Sequence, residues 1–479
     1  MGLVSTALSA LAVIAGFTGQ NIFIVYWLER PAGSTDGISA FAVLLLCGCV
    51  FAVFFPLCAL VFAVRTGDWS VFSVSGDAWE SRLLASPFRP SGFRLSHAQT
   101  LAAAGVCNAL NGILIVYASS PTKTPPLIQA ILQNCGVLFS VPFSKLALRD
   151  SKVYCAPEPL RAAGVVVASV VVSLLPTVLA LAGSSSGSSS SSTHSSDASL
   201  TGWSTLAWVL VYTAGLAPNA LLNILQQLYF IRVGALTPGA ASSSHSHMRG
   251  TLRALMFSNL WQPITYAALF WVDLLPWFGY SASLGDFAQG TSFSLACSIG
   301  GPALAGSSDI AGRICAPATP LWAWAFLASY ILAYFGGAQL NRESATFNML
   351  CLVIVTASTA LVWLIPGVNP SPSSTPLWSV LVSLLLALTG SLLWKAWESK
   401  TPPEEQFEAI YATSHALGGG EGAEDYLLPP MAGRSGTFDG ASSLGAWSAR
   451  ESHAESEYGE GGEQLLLNAS TRSSGKWVG

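Results

Sequence analysis

Ten apolar stretches, each about long enough to cross a bilayer, dominate the sequence. A membrane-spanning helix needs about 20 predominantly apolar residues. The stretches lack the short alternating pattern of barrel strands, and only helices or closed barrels satisfy the backbone within lipid. The sequence therefore predicts an all-α membrane protein with ten transmembrane helices. The predicted spans are residues 3–28, 38–63, 98–119, 125–148, 159–182, 203–230, 252–275, 319–339, 344–366 and 376–396.

Basic residues fall almost entirely in alternate connections between these spans. Connections 2–3, 4–5, 6–7 and 8–9 hold twelve Lys and Arg residues, whereas the other five hold only Arg30, Lys123 and Arg313. Because positively charged loops stay in the cytoplasm, both termini are expected to be cytoplasmic. No Arg- and Ser-rich transit segment precedes the first span, which disfavours a plastid envelope.

The chain divides into two similar halves, residues 1–182 and 203–396, around a Ser/Gly-rich segment at 183–202 that is predicted to be a flexible lumenal linker. Both halves have amides in the first span, a proline in the second (Pro56 and Pro263) and a very short connection between the third and fourth. Because each half has an odd number of spans, matching loops lie on opposite faces. This pattern predicts two inverted five-helix repeats, the second with a long lumenal loop at 276–318.

The C-terminal segment 397–479 differs in composition from the rest of the chain. It holds 13 acidic and 5 basic residues, and its Gly, Ser and Glu content predicts a disordered cytoplasmic tail. Two acidic di-leucine-like clusters, at 424–428 and 463–467, are candidate signals for sorting adaptors, although such clusters are common by chance. Neither this tail nor the membrane part carries the strong positive charge that nucleic-acid partners require.

Ionisable groups are rare in the predicted spans. All six His residues lie in connections or in the tail, and a metal site needs clustered His, Cys, Asp or Glu, so no metal or other cofactor is expected. Asp273, near the outer end of the seventh span, and Glu343, at the start of the ninth, are the acids that touch spans. Helix-end capping accounts for both, and they are also the candidate sites if transport is coupled to protons.

The polar groups within the spans are mostly amides. A single amide often only hydrogen-bonds a neighbouring helix, but pairs such as Asn108 and Asn111, three residues apart, share one helix face. A neutral, amide-lined cavity would bind polar organic solutes without a fixed charge. The candidate cavity residues are Gln20, Asn21, Asn108, Asn111, Asn223, Gln227 and Gln262.

Two of the nine cysteines, Cys297 and Cys315, lie in the loop 276–318. The predicted topology puts this loop on the lumenal side, where many compartments are oxidising. The sequence leaves open whether the two form a disulfide or stay reduced.

Four polar motifs follow one another in a recognisable order. They are Gln20–Phe23, Asn223–Arg232, Leu252-Arg253 followed by Gln262, and Ser344–Phe347. In this order the chain resembles the chloroquine-resistance-transporter-like family of the drug/metabolite transporter superfamily, which also has a long lumenal loop with cysteines. Two features depart from that family: Gln227 stands where it has a glutamate, and its eighth-span acid has no counterpart here. Proton coupling and cationic substrates are therefore less well supported than the fold.

The resemblance implies a secondary transporter that works by alternating access in an endomembrane, vacuolar or lysosome-like. Its expected solutes are amino acids, short peptides, glutathione-like thiols or drug-like amines, and Gln227→Leu is expected to reduce their transport. A nucleotide-sugar or phosphate-ester carrier of the same superfamily is an alternative, weakened by the lack of buried cations. A non-transporting membrane scaffold is another. An enzyme is not expected, because no His/Asp base or paired acids lie at a membrane face.

Overall fold

The computed structural model describes residues 3–28, 38–73, 95–120, 123–148, 156–185, 195–236, 244–300, 315–343, 345–365, 368 and 376–399. Within these residues the chain is helical and contains no strand. Residues 186–194 of the predicted linker and nearly all of the predicted acidic tail, including both di-leucine-like clusters, lie outside the described residues. The end of the linker does not, because a helix already begins at Ser195.

Eleven helices are described. They are α1 (Leu3–Leu28), α2 (Ala40–Thr66), α3 (His97–Ala118), α4 (Pro126–Leu148), α5 (Pro157–Ser185), α6 (Ser195–Leu236), α7 (Ser244–Ala268), α8 (Leu284–Ile299), α9 (Thr319–Glu343), α10 (Ala345–Trp363) and α11 (Leu377–Ser399). Helix α8 lies within the loop 276–318, for which the sequence predicted no helix. The other ten fall at the ten predicted spans.

Eight of the described helices are long and apolar enough to cross a membrane, namely α1 to α6, α9 and α11. The protein is therefore an all-helical, multi-pass membrane protein. Helix α7 falls short of this standard, because its first turns contain Ser, His and Arg residues. Helix α10 is apolar over the stretch Ile354–Trp363.

Four helix pairs have the most extensive contacts in the bundle: α1 with α9, α3 with α6, α5 with α11, and α2 with α7. The first pair approaches at backbone distance. A Cβ atom added to Gly16 would lie 2.5 Å from the Ala333 nitrogen, and one added to Gly336 would lie 2.8 Å from the Ser9 oxygen. Membrane helices often have small residues at their contacts. Because the hydrophobic effect does not drive helices together within lipid, their association depends on the van der Waals contact that close approach provides.

The two ends of the bundle differ in chemistry. At the end that we call the basic end, Arg249 forms an ion pair with Asp68 at 3.0 Å and Arg253 donates to the Ser70 carbonyl. These contacts join the start of α7 to the end of α2. At the opposite end, which we call the disulfide end, Cys297 of α8 is bonded to Cys315 with their Cα atoms 5.6 Å apart.

Helix α4 is irregular along its length. A 3-10 turn at Gln133–Cys135 separates two α-helical parts, and a π-helical turn at Ser144–Leu148 ends the element. Pro142 lies just before the π turn, where it removes a backbone donor and disfavours regular helix. The first interruption lies beside the cavity described next.

Candidate functional site

A cavity of about 60 Å³ lies among the helices, in the halves nearer the disulfide end. This volume holds a few water molecules and is smaller than that of small-molecule sites, which are about 300–1,000 Å³. Among the described residues, no Lys, Arg, Asp or Glu side chain lines it. The lining residues are Gln20, Asn21, Ile24, Leu44, Cys47, Asn111, Gly112, Ile115, Val116, Ser119, Gln129, Tyr212, Tyr266, Phe326 and Tyr330.

Amides supply four of the polar side chains that line the cavity, and Ser and Tyr hydroxyls supply four more. Three of the predicted residues, Gln20, Asn21 and Asn111, are in its lining, together with Gln129. The Gln20 Nε2 atom is buried and has no hydrogen-bond partner in the described structure. A buried donor without an acceptor costs about 1–3 kcal/mol, so a solute that accepts a hydrogen bond from Gln20 would recover this cost.

Asn21 forms a reciprocal amide pair with Gln133. The Asn21 Nδ2 atom donates to Gln133 Oε1 at 3.1 Å, and Gln133 Nε2 donates back to Asn21 Oδ1 at 2.6 Å. Asn21 Nδ2 also lies 3.3 Å from Thr359 Oγ1 on α10. The pair therefore links α1 to the 3-10 turn of α4.

Aromatic rings form much of the remaining wall, and sequence reasoning missed them. Phe326 and Tyr330 of α9 lie in edge contact with their centroids 5.6 Å apart, and Tyr330 contacts Phe51 at 4.7 Å. The Tyr330 hydroxyl donates to Asn108 Oδ1 at 3.4 Å. Asn108 is thus close to the wall although it is not in the lining. Because aromatic residues occur throughout apolar spans, their positions in the sequence gave no signal.

Asn223 lies outside the cavity lining, in a separate buried amide cluster. Asn341 Nδ2 donates to Asn223 Oδ1 at 2.7 Å and to Gln226 Oε1 at 2.8 Å, and Asn348 Nδ2 donates to Asn223 Oδ1 at 3.1 Å. These bonds join α6, α9 and α10. Asn223 therefore has the helix-bridging role that the sequence left open for any single amide.

The other two predicted amides are also outside the lining. Gln262 is fully buried in α7 and donates to Asn259 Oδ1, while its own Oε1 has no partner in the described structure. Gln227 is half-buried on α6. The structure therefore brings three of the seven predicted residues together around one cavity.

Asp273 and its partners close the disulfide end. This residue follows α7 in a 3-10 turn at Phe270–Leu274 and is almost completely buried. Its carboxylate accepts hydrogen bonds from the Tyr117 hydroxyl at 2.7 Å and the Ser281 hydroxyl at 2.5 Å. This contact ties the end of α3 to the chain that leads into α8. Glu343, the other predicted acid, is the last residue of α9, and its side chain lies outside the described residues.

A lysine is held by aromatic rings beside this contact. The Lys123 Nζ atom lies 3.6 Å from the centroid of Trp208 and 4.3 Å from that of Tyr280. The short connection that carries Lys123 is fixed by a cavity residue, since Gln129 Nε2 donates to the carbonyls of Ser119 at 2.9 Å and Thr124 at 2.6 Å. We call the group Tyr117, Lys123, Trp208, Asp273 and Tyr280 the outer cap.

The described residues contain no group of three or more His, Cys, Asp or Glu side chains that could hold a metal ion. No protein-family model matches the chain, and no curated protein matches it. Function is therefore inferred from the residues and their geometry.

Proposed function

We propose that the protein is a secondary transporter that moves small organic solutes across an endomembrane by alternating access. The observation that carries this proposal is the neutral, amide- and aromatic-lined cavity with an unpartnered donor at Gln20. Such a site suits solutes that combine apolar surface with hydrogen-bonding groups. Amino acids, short peptides, glutathione-like thiols and drug-like amines are the proposed classes. The resemblance to the chloroquine-resistance-transporter-like family is part of the same proposal.

The pattern of helix contacts supports ten spans in two inverted repeats. The first repeat would be α1 to α5, and the second would be α6, α7, α9, α10 and α11. In this scheme α1 is equivalent to α6, and α3 is equivalent to α9. The contact between α1 and α9, the most extensive in the bundle, then has the contact between α6 and α3 as its counterpart, which is the second most extensive. The pairs α2–α7 and α5–α11 map onto themselves. A pseudo-two-fold axis in the membrane plane, with the cavity between the repeats, is the arrangement of many secondary transporters.

The charges and the disulfide support one orientation in the membrane. The basic end would face the cytoplasm with both termini, as the positive-inside rule requires. The disulfide end would face the lumen of a vacuole or lysosome-like organelle, where Cys297 and Cys315 can be oxidised. In this arrangement the outer cap lies between the cavity and the lumen and acts as a closed gate.

Replacing Lys123 with Met is expected to loosen this gate. The change shortens the side chain by one atom and removes its charge, and with it a cation–π attraction of about 1–2 kcal/mol. Such a loss corresponds to about a five- to thirty-fold shift towards the open state. The measurement is labelling of Cys47, a cavity residue, by a membrane-impermeant thiol reagent from the disulfide side, quantified for that peptide by mass spectrometry.

The matched control is Lys145→Met, which removes a lysine from the π-helical turn of α4. Labelling of Cys47 should rise in Lys123→Met and stay at the native level in Lys145→Met. Equal labelling in all three proteins would show that Lys123 does not hold the cavity shut.

Uptake into proteoliposomes tests the transport proposal directly. The purified chain would be given labelled arginine, a dipeptide, glutathione and a nucleotide sugar, each with and without an inward proton gradient. Saturable uptake of one of the first three supports the proposal, and dependence on the gradient would direct attention to Asp273 and Glu343. Uptake of the nucleotide sugar alone would favour the alternative carrier, which the absence of Lys and Arg from the cavity lining disfavours.

A membrane scaffold is the other alternative. Deleting residues 400–479 distinguishes the two, because a carrier should keep its flux without the acidic tail. A chain that transports nothing on the panel and loses its cellular role with the tail would be a scaffold.

A further inference from the structure

The basic end contains two arginines with buried donor atoms that the rest of the described structure does not pair. Arg253 lies in α7, Arg342 lies near the end of α9, and Tyr229 lies on α6. The Arg342 Nη1 atom is buried with no hydrogen-bond partner within the part of the chain that the structure describes, and Arg253 Nε and the Tyr229 hydroxyl have none there apart from the contact between their two side chains. An unmade hydrogen bond is more costly for a charged group than for a neutral one, so this arrangement calls for an acceptor.

The three groups lie close to one another. Both guanidinium groups interact electrostatically with the Tyr229 hydroxyl. The Arg342 guanidinium is 6.0 Å from the ring centroid of Phe230, the residue after Tyr229. A Cβ atom on Gly250, one turn before Arg253, would lie 4.0 Å from Arg342 Nη1. Helices α6, α7 and α9 thus bring their donors to one place.

Three other charged groups of this end, among those that the structure describes, are already committed to other partners. Asp68 is paired with Arg249 at 3.0 Å. Hydrogen bonds from Ser70, together with Arg249, hold the pKa of Asp68 below its usual value, so this carboxylate stays ionised in its own contact. Arg232 donates to the Leu95 carbonyl at 2.6 Å. These contacts leave Arg342 Nη1 and the Tyr229 hydroxyl proton for another acceptor, with the Arg253 guanidinium beside them.

We propose that Arg253, Arg342 and Tyr229 form a binding site for a phosphate group at the basic end. Guanidinium groups bind phosphate oxygens strongly because their donors are charged and planar, and a phenol hydroxyl adds a third donor. The phosphate would belong either to a phospholipid headgroup at the membrane surface or to a soluble phosphate. The site shares no residue with the cavity lining, so it does not depend on what the cavity carries.

The test is thermal unfolding of the purified full-length protein in detergent, titrated with inorganic phosphate or with water-soluble dioctanoyl phosphatidylinositol 4-phosphate. A ligand that binds only the folded protein raises the unfolding midpoint in a saturable way. Sodium chloride at equal ionic strength corrects for screening. Stabilisation by both probes indicates that phosphate alone is recognised, and stabilisation by the lipid alone assigns the site to a headgroup.

Variants locate the site. Tyr229→Phe, Arg253→Gln and Arg342→Gln should each raise the dissociation constant about tenfold or more. Arg65→Gln is the matched control, because Arg65 is exposed in the last turn of α2 and its loss removes one positive charge from the same end. This control should bind as the native protein does.

Two results would overturn the proposal: no stabilisation by either probe, or equal stabilisation in the native protein and in Tyr229→Phe. Tyr229→Phe decides the matter if an arginine variant does not fold, since it keeps the ring that packs against His97 and Phe230. The assay measures binding without solute flux. A failure here therefore leaves the transport proposal standing, and a failure of transport does not affect this site.

Discussion

Gln20→Leu is expected to lower solute uptake about tenfold or more while leaving the fold intact or slightly stabilised. The Gln20 Nε2 atom is buried in the cavity wall without a partner. Leucine removes this donor and the cost of burying it, so the empty protein loses nothing. A bound solute loses a hydrogen bond in a low-dielectric site, and about 1.4 kcal/mol corresponds to a factor of ten. Uptake into proteoliposomes and the unfolding midpoint are the two measurements.

The control is Gln227→Leu, which makes the same chemical change on α6 outside the cavity lining. From the sequence alone, Gln227→Leu was expected to reduce transport. Because Gln20 lines the cavity and Gln227 does not, we now expect this loss in Gln20→Leu. Uptake should therefore fall in the Gln20 variant and persist in the Gln227 variant. Equal uptake in both variants, or a fall accompanied by unfolding of Gln20→Leu, would remove Gln20 from the solute site.

Gly16→Leu is expected to prevent correct packing of α1 against α9. The added Cβ would meet the Ala333 nitrogen at 2.5 Å and the Ser329 oxygen at 2.7 Å. These are backbone atoms of a helix, so neither can move aside without separating the two helices. Overpacking typically costs about 1–3 kcal/mol and sometimes more, and this contact is the most extensive between helices in the bundle. The yield of monodisperse protein on gel filtration and its unfolding midpoint should both fall sharply.

Gly164→Leu on α5 provides the control. Apart from the backbone of α5 itself, no described atom lies within 4 Å of the position where its Cβ would be, and the residue is also a glycine inside a long helix. This variant should be obtained in native yield, with a midpoint at or above that of the native protein because glycine disfavours helix. A similar loss in both variants would mean that helix propensity, and not the α1–α9 contact, governs the result.

The positions of the helices were largely predictable because apolar length is a local property. The span predicted at 3–28 matches Leu3–Leu28, and the one predicted at 125–148 matches Pro126–Leu148 within one residue. Helix α7 was harder to place. It begins at Ser244 and ends at Ala268, and a 3-10 turn that contains Asp273 follows it. The apolar pattern does not mark these ends, because polar residues form the start of the helix and a buried hydrogen bond holds the turn after it.

The cavity was only partly predictable, because its lining depends on how each helix is rotated. Gln20, Asn21 and Asn111 face it, whereas Asn223 is turned towards Asn341. Composition identifies an amide, but the packing of other helices decides which partner it has. The outer cap depends on contacts between Lys123, Asp273 and residues far along the chain, which local patterns do not encode.

The reciprocal pair of Asn21 and Gln133 has a consequence for selectivity. Within the pair, each amide donates one hydrogen bond and accepts one, so the two hydrogen bonds form a closed ring. A solute that takes the place of Gln133 in this ring has to present a donor beside an acceptor, as a carboxamide does. An ammonium group offers only donors and a carboxylate only acceptors, so either completes half of the ring. At this position solutes would be sorted by the order of their donors and acceptors, and charge would be secondary.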